Sequence, residues 1–93
     1  MSQDFNETVS LLVEEVMPLL ANKPPHIVGA ALADIVAIWV ACHIVPGDPK
    51  ETDEYREMLV KHHIATLRQL IPVNAHIVET AGGNVIEVSV AKH

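Results

Sequence analysis

The chain has 93 residues, a formal net charge of −6 and a hydrophobic content of 49%. Its length predicts a single domain spanning residues 1–93. The acidic balance disfavours DNA or RNA as a partner, because nucleic-acid binding needs a basic surface that displaces phosphate counterions. It disfavours docking on an anionic membrane for the same electrostatic reason.

The cysteine content and the start of the chain indicate a cellular compartment. Cys42 is the single cysteine, so no intrachain disulfide can form. The first ten residues, MSQDFNETVS, are acidic and polar, and they lack the basic and apolar regions of a signal peptide. We therefore predict a cytoplasmic protein.

A first amphipathic helix is predicted over about residues 4–21. Apolar side chains recur on one side at helical spacing, which is typical of a helix with one buried face. They are Phe5, Val9, Leu12, Val13, Val16, Met17, Leu19 and Leu20. The sequence NKPP follows, and residues before proline are disfavoured in helical conformation.

A second helix is predicted over about residues 25–43, with Pro25 in the first turn, where its missing N–H costs nothing. Residues 26–45 carry one formal charge, on Asp34. Bulky residues form one stripe of this helix: Val28, Leu32, Ile35, Val36 and Trp39. A second stripe, here called the alanine stripe, consists of Ala30, Ala33, Ala37 and Ala41.

A helix that is apolar all round is either buried on all sides or in lipid. Asp34 at mid-depth and the lack of a flanking Lys/Arg cluster disfavour the membrane, so we predict a central helix of a protein outside the membrane. The other elements offer too little surface to cover it. We therefore predict a homodimer or higher homo-oligomer assembled through the alanine stripe of this helix, through edge pairing of a C-terminal β-hairpin described below, or through both. Alternatively, this stripe packs on the first helix of its own chain.

A third helix is predicted over about residues 49–71. Asp48 is a good N-cap, Pro49 takes the first helical position, and Glu51 lies three residues beyond the cap. Pro72 is expected to end the helix. Residues 75–90 alternate and are rich in β-branched side chains around Gly82–Asn84, which predicts a β-hairpin. The predicted fold class is therefore α+β: three antiparallel helices followed by a C-terminal hairpin.

Asp34 suggests a candidate binding site. A buried carboxylate must be paired or neutralised. Antiparallel packing of the second and third helices would bring Asp34 near Arg56 and His63, with Trp39 close by. We predict that Arg56, His63 or both hold Asp34; alternatively, Asp34 faces solvent unpaired. These four residues are the candidate ligand-binding residues.

The sequence contains no recognisable catalytic motif. There are six histidines, but none of the zinc-ligand pairs CxxC, HxxxH or HExxH occurs. We assign no catalytic residue, metal ligand or cofactor. The expected function is that of a non-enzymatic protein acting by self-association and protein–protein interaction. The alternative is a small-molecule or metal-binding protein that uses the polar cluster between helices two and three.

Overall fold

The structure, a computed structural model, describes residues 2–82 and 85–90, with side chains described from residue 4 onward. It contains three α-helices: α1 (Ser2–Leu20), α2 (Pro25–Ala41) and α3 (Pro49–Ala81). The predicted starts of α2 and α3 are confirmed. The predicted ends of the first two helices lie one and two residues too late, which is within ordinary fraying.

The predicted β-hairpin is wrong, and with it the α+β fold class. Residues 75–81 continue α3, and residues 85–90 form no strand. The described part of the chain contains helices and connections but no sheet. Two residues of the predicted turn, Gly83 and Asn84, lie outside the described residues.

The helix α3 passes through Pro72 because extending a helix costs far less than nucleating one. Pro72 removes the amide that would bond to the carbonyl of Arg68, and its ring crowds that carbonyl, a local cost that the rest of the helix offsets. Beyond it, Asn74 Nδ2 donates to the Leu70 carbonyl at 3.0 Å, and the Thr80 hydroxyl donates to the His76 carbonyl at 2.8 Å. Such back-bonding lets polar and β-branched side chains remain in a helix. A hairpin here would have had no third strand to support it.

The chain divides into two compact units, and the boundary falls within α2. The first unit, Met1–Ala33, contains α1, a tight connection and the start of α2. Asn22 adopts a left-handed φ of 65° in this connection, a conformation that asparagine tolerates better than most residues. Half-buried apolar residues mark the shallow core of this unit: Val16, Leu20, Val28 and Ala31.

The second unit, Asp34–His93, contains the end of α2, the connection 42–48 and α3. The start of α3 has the predicted cap, since Glu51 N donates to Asp48 Oδ1 at 2.9 Å. Gly47 has a φ of 77°, which glycine adopts without steric cost and which turns the connection back toward α3. Among the described residues of this unit, Val40 is the buried apolar side chain and Thr52 the buried polar one.

The structure also bears on whether a helix of this chain could span a membrane. Over residues 2–82 and 85–90, none of the helices combines the length and the apolar character that a membrane span requires.

Candidate functional site

Arg56 links the third helix to the C-terminal end of α2. Its Nη2 donates to the carbonyl of Ala41 at 2.7 Å, and its Nε donates to the carbonyl of His43 at 3.1 Å. The last carbonyls of a helix have no partner within the helix, and their end carries partial negative charge. The guanidinium therefore caps α2 from α3 and holds the two elements together.

Thr52 fixes the connection between these helices. Its Oγ1 accepts from Val45 N at 2.9 Å, and it lies 2.9 Å from the carbonyl of Asp48 and 3.2 Å from that of Val45. A hydroxyl carries one proton, so it donates to one of these two carbonyls at a time. Because Thr52 is 7% exposed, these bonds are largely shielded from water, and the loop is tied to the first turn of α3.

Four rings meet beside this junction. His43 lies 5.3 Å from Trp39 in an edge-to-face arrangement, His63 lies 5.8 Å from Trp39, and Tyr55 lies 5.8 Å from His43, measured between ring centroids. His43 Nδ1 is 2.8 Å from the carbonyl of Trp39 and must carry a proton to bond there. In the neutral ring, that tautomer leaves Nε2 as the acceptor nitrogen.

The predicted site residues do not all come together. His63 and Trp39 are in contact, and Arg56 lies at the same junction but bonds to backbone carbonyls. Asp34 is exposed and forms neither a salt bridge nor a hydrogen bond within the described part of the chain. The pairing of Asp34 with Arg56 or His63 is therefore not formed, and the alternative of a solvent-facing carboxylate describes this chain.

The alanine stripe is uncovered. Ala30, Ala33, Ala37 and Ala41 are all exposed. The covered side of α2 is instead the one that carries Val28, Val36 and Val40. From the predicted bulky stripe, Ile35 remains 56% exposed and Trp39 remains 44% exposed.

Two surface depressions are present in the described part of the chain, and neither encloses all four predicted ligand-binding residues, Asp34, Trp39, Arg56 and His63. One, of about 520 Å³, lies along α3 and is lined by Asp53, Glu54, Glu57, Met58, Lys61 and His62. The other, of about 410 Å³, lies over the connection and is lined by Ile44, Val45, Gly47, Asp48, Pro49, Thr52, Asp53 and Arg56. Both are open and shallow. Neither is lined by Asp34, Trp39 or His63.

Metal-binding groups are also dispersed. Among the described residues, no three side chains of His, Cys, Asp or Glu converge on a point that could hold a metal ion. Cys42 is exposed, and it follows the last residue of α2.

Three residues of the junction were not singled out from the sequence: His43, Thr52 and Tyr55. The contact of Trp39 with His43 has a local signal, because residues four apart lie on the same face of a helix. The bonds of Thr52 to Val45 span seven residues and depend on the path of the connection. No sequence pattern indicates that path.

Comparison of the chain with protein-family models, with curated proteins and with solved structures finds no match. The function must therefore be argued from the residues and their geometry.

Proposed function

We propose that this chain is a non-enzymatic protein that acts by self-association and protein–protein interaction. One observation carries the proposal: in residues 4–82 and 85–90, Val40 is the buried hydrophobic side chain, while large apolar residues of every helix remain exposed. Leu12 is 59% exposed in α1, Ile35 56% in α2 and Ile71 61% in α3. The described residues of this chain, whose sequence is 49% hydrophobic, therefore bury little apolar side-chain surface.

The energetic consequence is large. Burying a Val, Leu, Ile or Phe side chain contributes about 1.5–3 kcal/mol relative to leaving it exposed. Contiguous exposed apolar surface is rare on monomeric proteins and marks sites of protein or membrane interaction. An assembly that covers several of these side chains per chain supplies the stabilisation that Val40 alone does not.

The alanine stripe supports helix α2 as a contact surface. Its four residues are exposed and recur at three- and four-residue spacing on α2. Small side chains let a second helix approach closely, and two copies of one stripe form an isologous contact about a two-fold axis. This contact is the predicted homo-oligomer interface, and it remains a proposal, as does the cytoplasmic location.

The first experiment is the molar mass in solution, measured by light scattering behind a sizing column. It compares the wild type with Ala37→Glu, and with Ala65→Glu as the matched control. Both alanines are exposed, but Ala65 lies on α3 and outside the alanine stripe. We expect the wild type to exceed the monomer mass of 10.2 kDa, with Ala37→Glu smaller and Ala65→Glu unchanged.

A wild type that stays at 10.2 kDa at every concentration tested would contradict self-association. A wild-type oligomer that both alanine variants leave intact would keep self-association but remove the alanine stripe from its interface. Circular dichroism of each variant separates loss of assembly from loss of the helices.

A further inference from the structure

Asp34 is a carboxylate that has no cation on its own helix. It is exposed on α2, and it forms neither a salt bridge nor a hydrogen bond within the described part of the chain. It is also the one formal charge between residues 26 and 45. A cation that pairs with Asp34 must therefore come from another element or from another copy of the chain.

Arg56 is a cation with an unused edge. Its Nε and one N–H of Nη2 donate to the carbonyls of His43 and Ala41. A guanidinium has five N–H groups, so three remain, two on Nη1 and one on Nη2. These three form what we call the outer fork, the edge that binds a carboxylate through two parallel hydrogen bonds. No buried side-chain nitrogen or oxygen of the described residues lacks a partner, so the outer fork is open to solvent.

The two groups are kept apart within one chain. Arg56 is fixed to the carbonyl of Ala41, and Asp34 lies seven residues before Ala41 on the same helix. At 1.5 Å per residue this is about 10 Å along α2. A second copy removes this separation, because an antiparallel contact between two α2 helices can place Asp34 of one copy beside Ala41 of the other.

The side of α2 that carries Asp34 suits such a contact. Asp34, Ala37, Ile38 and Ala41 lie on one side of the helix at helical spacing, and all four are exposed. They and Arg56 belong to the same compact unit, which begins at Asp34. Both halves of the charge pair, and the helical surface between them, are therefore carried by one unit.

The charges select the direction and the register. In a parallel pair of α2 helices in register, Asp34 would face its own like charge. In an antiparallel pair centred between residues 37 and 38, Asp34 faces Ala41 and the outer fork of the second copy, and the two Asp34 residues lie about two turns apart. The small residues remain inside this overlap: Ala37 faces Ile38, Ala33 faces Cys42, and Ala30 faces Val45.

Lys23 is the other cation near α2, two residues before its first residue. Pairing Asp34 with Lys23 of a second copy would centre the contact between residues 28 and 29. Ala37 and Ala41 would then lie beyond the overlap of the two helices. Lysine also presents a mobile ammonium, whereas the fork of Arg56 is already held in place by two hydrogen bonds. Arg56 is therefore the cation that fits.

We propose that Asp34 of each copy binds the outer fork of Arg56 of a second copy, in an antiparallel contact between their α2 helices. This inference rests on the proposed self-association through the alanine stripe, and it deepens that proposal by assigning an ion pair to each end of the contact. Each copy supplies one half of the other's site, so the contact is isologous.

The first test is Asp34→Asn in the full-length chain, which removes the charge and keeps the size of the side chain. The dissociation constant of the assembly is measured by sedimentation equilibrium. We expect it to rise about threefold to tenfold at low salt, because two ion pairs are lost per contact. An Asp34 carboxylate at the contact without a cation would give the opposite sign, since its removal would relieve desolvation and strengthen association.

Two controls accompany this variant. Glu79→Gln makes the same chemical change at an exposed carboxylate of α3 outside the contact, and it should leave the dissociation constant unchanged. At 1 M salt, where the Debye length is about 3 Å, the difference between Asp34→Asn and the wild type should shrink.

The second test identifies the cation by repeating Asp34→Asn in chains that lack one candidate. In an Arg56→Gln background, Asp34→Asn should no longer raise the dissociation constant, because its partner is absent. In a Lys23→Gln background the increase should persist. Circular dichroism checks the fold of each background. Where Arg56→Gln does not fold, Arg56→Lys replaces it, and the increase should be smaller than in the wild type because an ammonium has no fork.

The third test fixes the direction of the helices by disulfide trapping in a Cys42→Ser background. In the proposed register, the two copies of residue 37 differ by about one residue along the axis, so Ala37→Cys should cross-link under oxidation. The two copies of residue 30 lie about 20 Å apart, so Ala30→Cys should not. A parallel pair in register would cross-link at both positions.

Each result supports or overturns the ion pair, and its failure differs from the failure of self-association. If the wild type assembles but Asp34→Asn strengthens or does not change association, the ion pair is overturned and self-association stands. An increase that survives Arg56→Gln and vanishes in Lys23→Gln assigns the wrong cation and also overturns it. Cross-linking at residue 30 overturns the antiparallel contact. A wild type that is monomeric throughout overturns both proposals.

Discussion

Arg56 reaches the carbonyl of His43 through Nε at 3.1 Å, thirteen residues back along the chain. With its second bond, to Ala41, it closes the C-terminal end of α2 by a side chain of α3. Helix ends are usually capped by neighbours in sequence, often a glycine in left-handed conformation. In this protein the guanidinium of Arg56 caps α2 from the next helix. The antiparallel pair formed by the end of α2 and the start of α3 depends on this contact.

Arg56→Ala should lower the free energy of unfolding by about 1–3 kcal/mol, because two carbonyls lose a charged donor. Arg56→Lys should recover only part of this loss, since an ammonium cannot reproduce the planar fork. Urea denaturation at one fixed protein concentration measures both. Lys50→Ala is the control: its contact with Glu54 is 4.0 Å long, and the two side chains are 87% and 65% exposed. A control as destabilising as Arg56→Ala would contradict the capping role.

Thr52→Val removes a buried hydroxyl while keeping the shape of the side chain. Val45 N would lose its acceptor, so we expect a loss of about 1–3 kcal/mol. Thr66→Val is the matched control, because that exposed hydroxyl bonds only to the His62 carbonyl of its own helix. It should change stability by less than about 0.5 kcal/mol. Thermal unfolding followed by circular dichroism distinguishes the two, and equal effects would rule out a special role for Thr52.

The N-cap of α3 gives a third prediction. Asp48→Ala removes the acceptor of Glu51 N and should cost about 1 kcal/mol, whereas Asp48→Asn should be nearly neutral because asparagine caps equally well. The midpoint of urea unfolding is the measurement. If Asp48→Asn proves as damaging as Asp48→Ala, the charge of Asp48 matters more than its hydrogen bond.

The continuity of α3 through Pro72 is testable by replacing the proline. Pro72→Ala restores the missing amide and removes the ring, so the variant should be more stable, by up to about 3 kcal/mol. Carbon chemical shifts of residues 73–81 should report helix in the wild type and in the variant. Shifts typical of a strand in the wild type would contradict the structure over this segment.

Local signals explain what could be predicted from the sequence. Pro25 and the Asp48–Pro49 pair act within one turn of their own helix, so the starts of α2 and α3 could be read without knowing the rest of the fold. The alternation of residues 75–90 was also a local signal, but it was misleading. A strand needs a partner strand, whereas a helix already begun at Pro49 satisfies its own backbone as it extends.

Asp34 shows why the candidate site could be predicted only in part. Its apolar surroundings in sequence indicated a buried, paired carboxylate, yet it lies exposed on the uncovered part of α2. Arg56, its predicted partner, bonds to the end of the helix instead. Whether Arg56 bonds to the carboxylate of Asp34 or to the last carbonyls of α2 depends on the axial register between α2 and α3. An amphipathic pattern does not determine that register to better than about one helical turn.

The sequence by itself determined where the helices begin, which of them is apolar all round, and that the chain holds more apolar surface than a small domain covers. Only the tertiary structure decided that α3 continues through Pro72 to Ala81, that Arg56 and Thr52 fix the turn between α2 and α3, and that the alanine stripe stays open. The physical reason is the separation along the chain over which each effect acts. Capping and periodicity act within a few residues, whereas burial and hydrogen bonding between elements depend on contacts that only folding brings together.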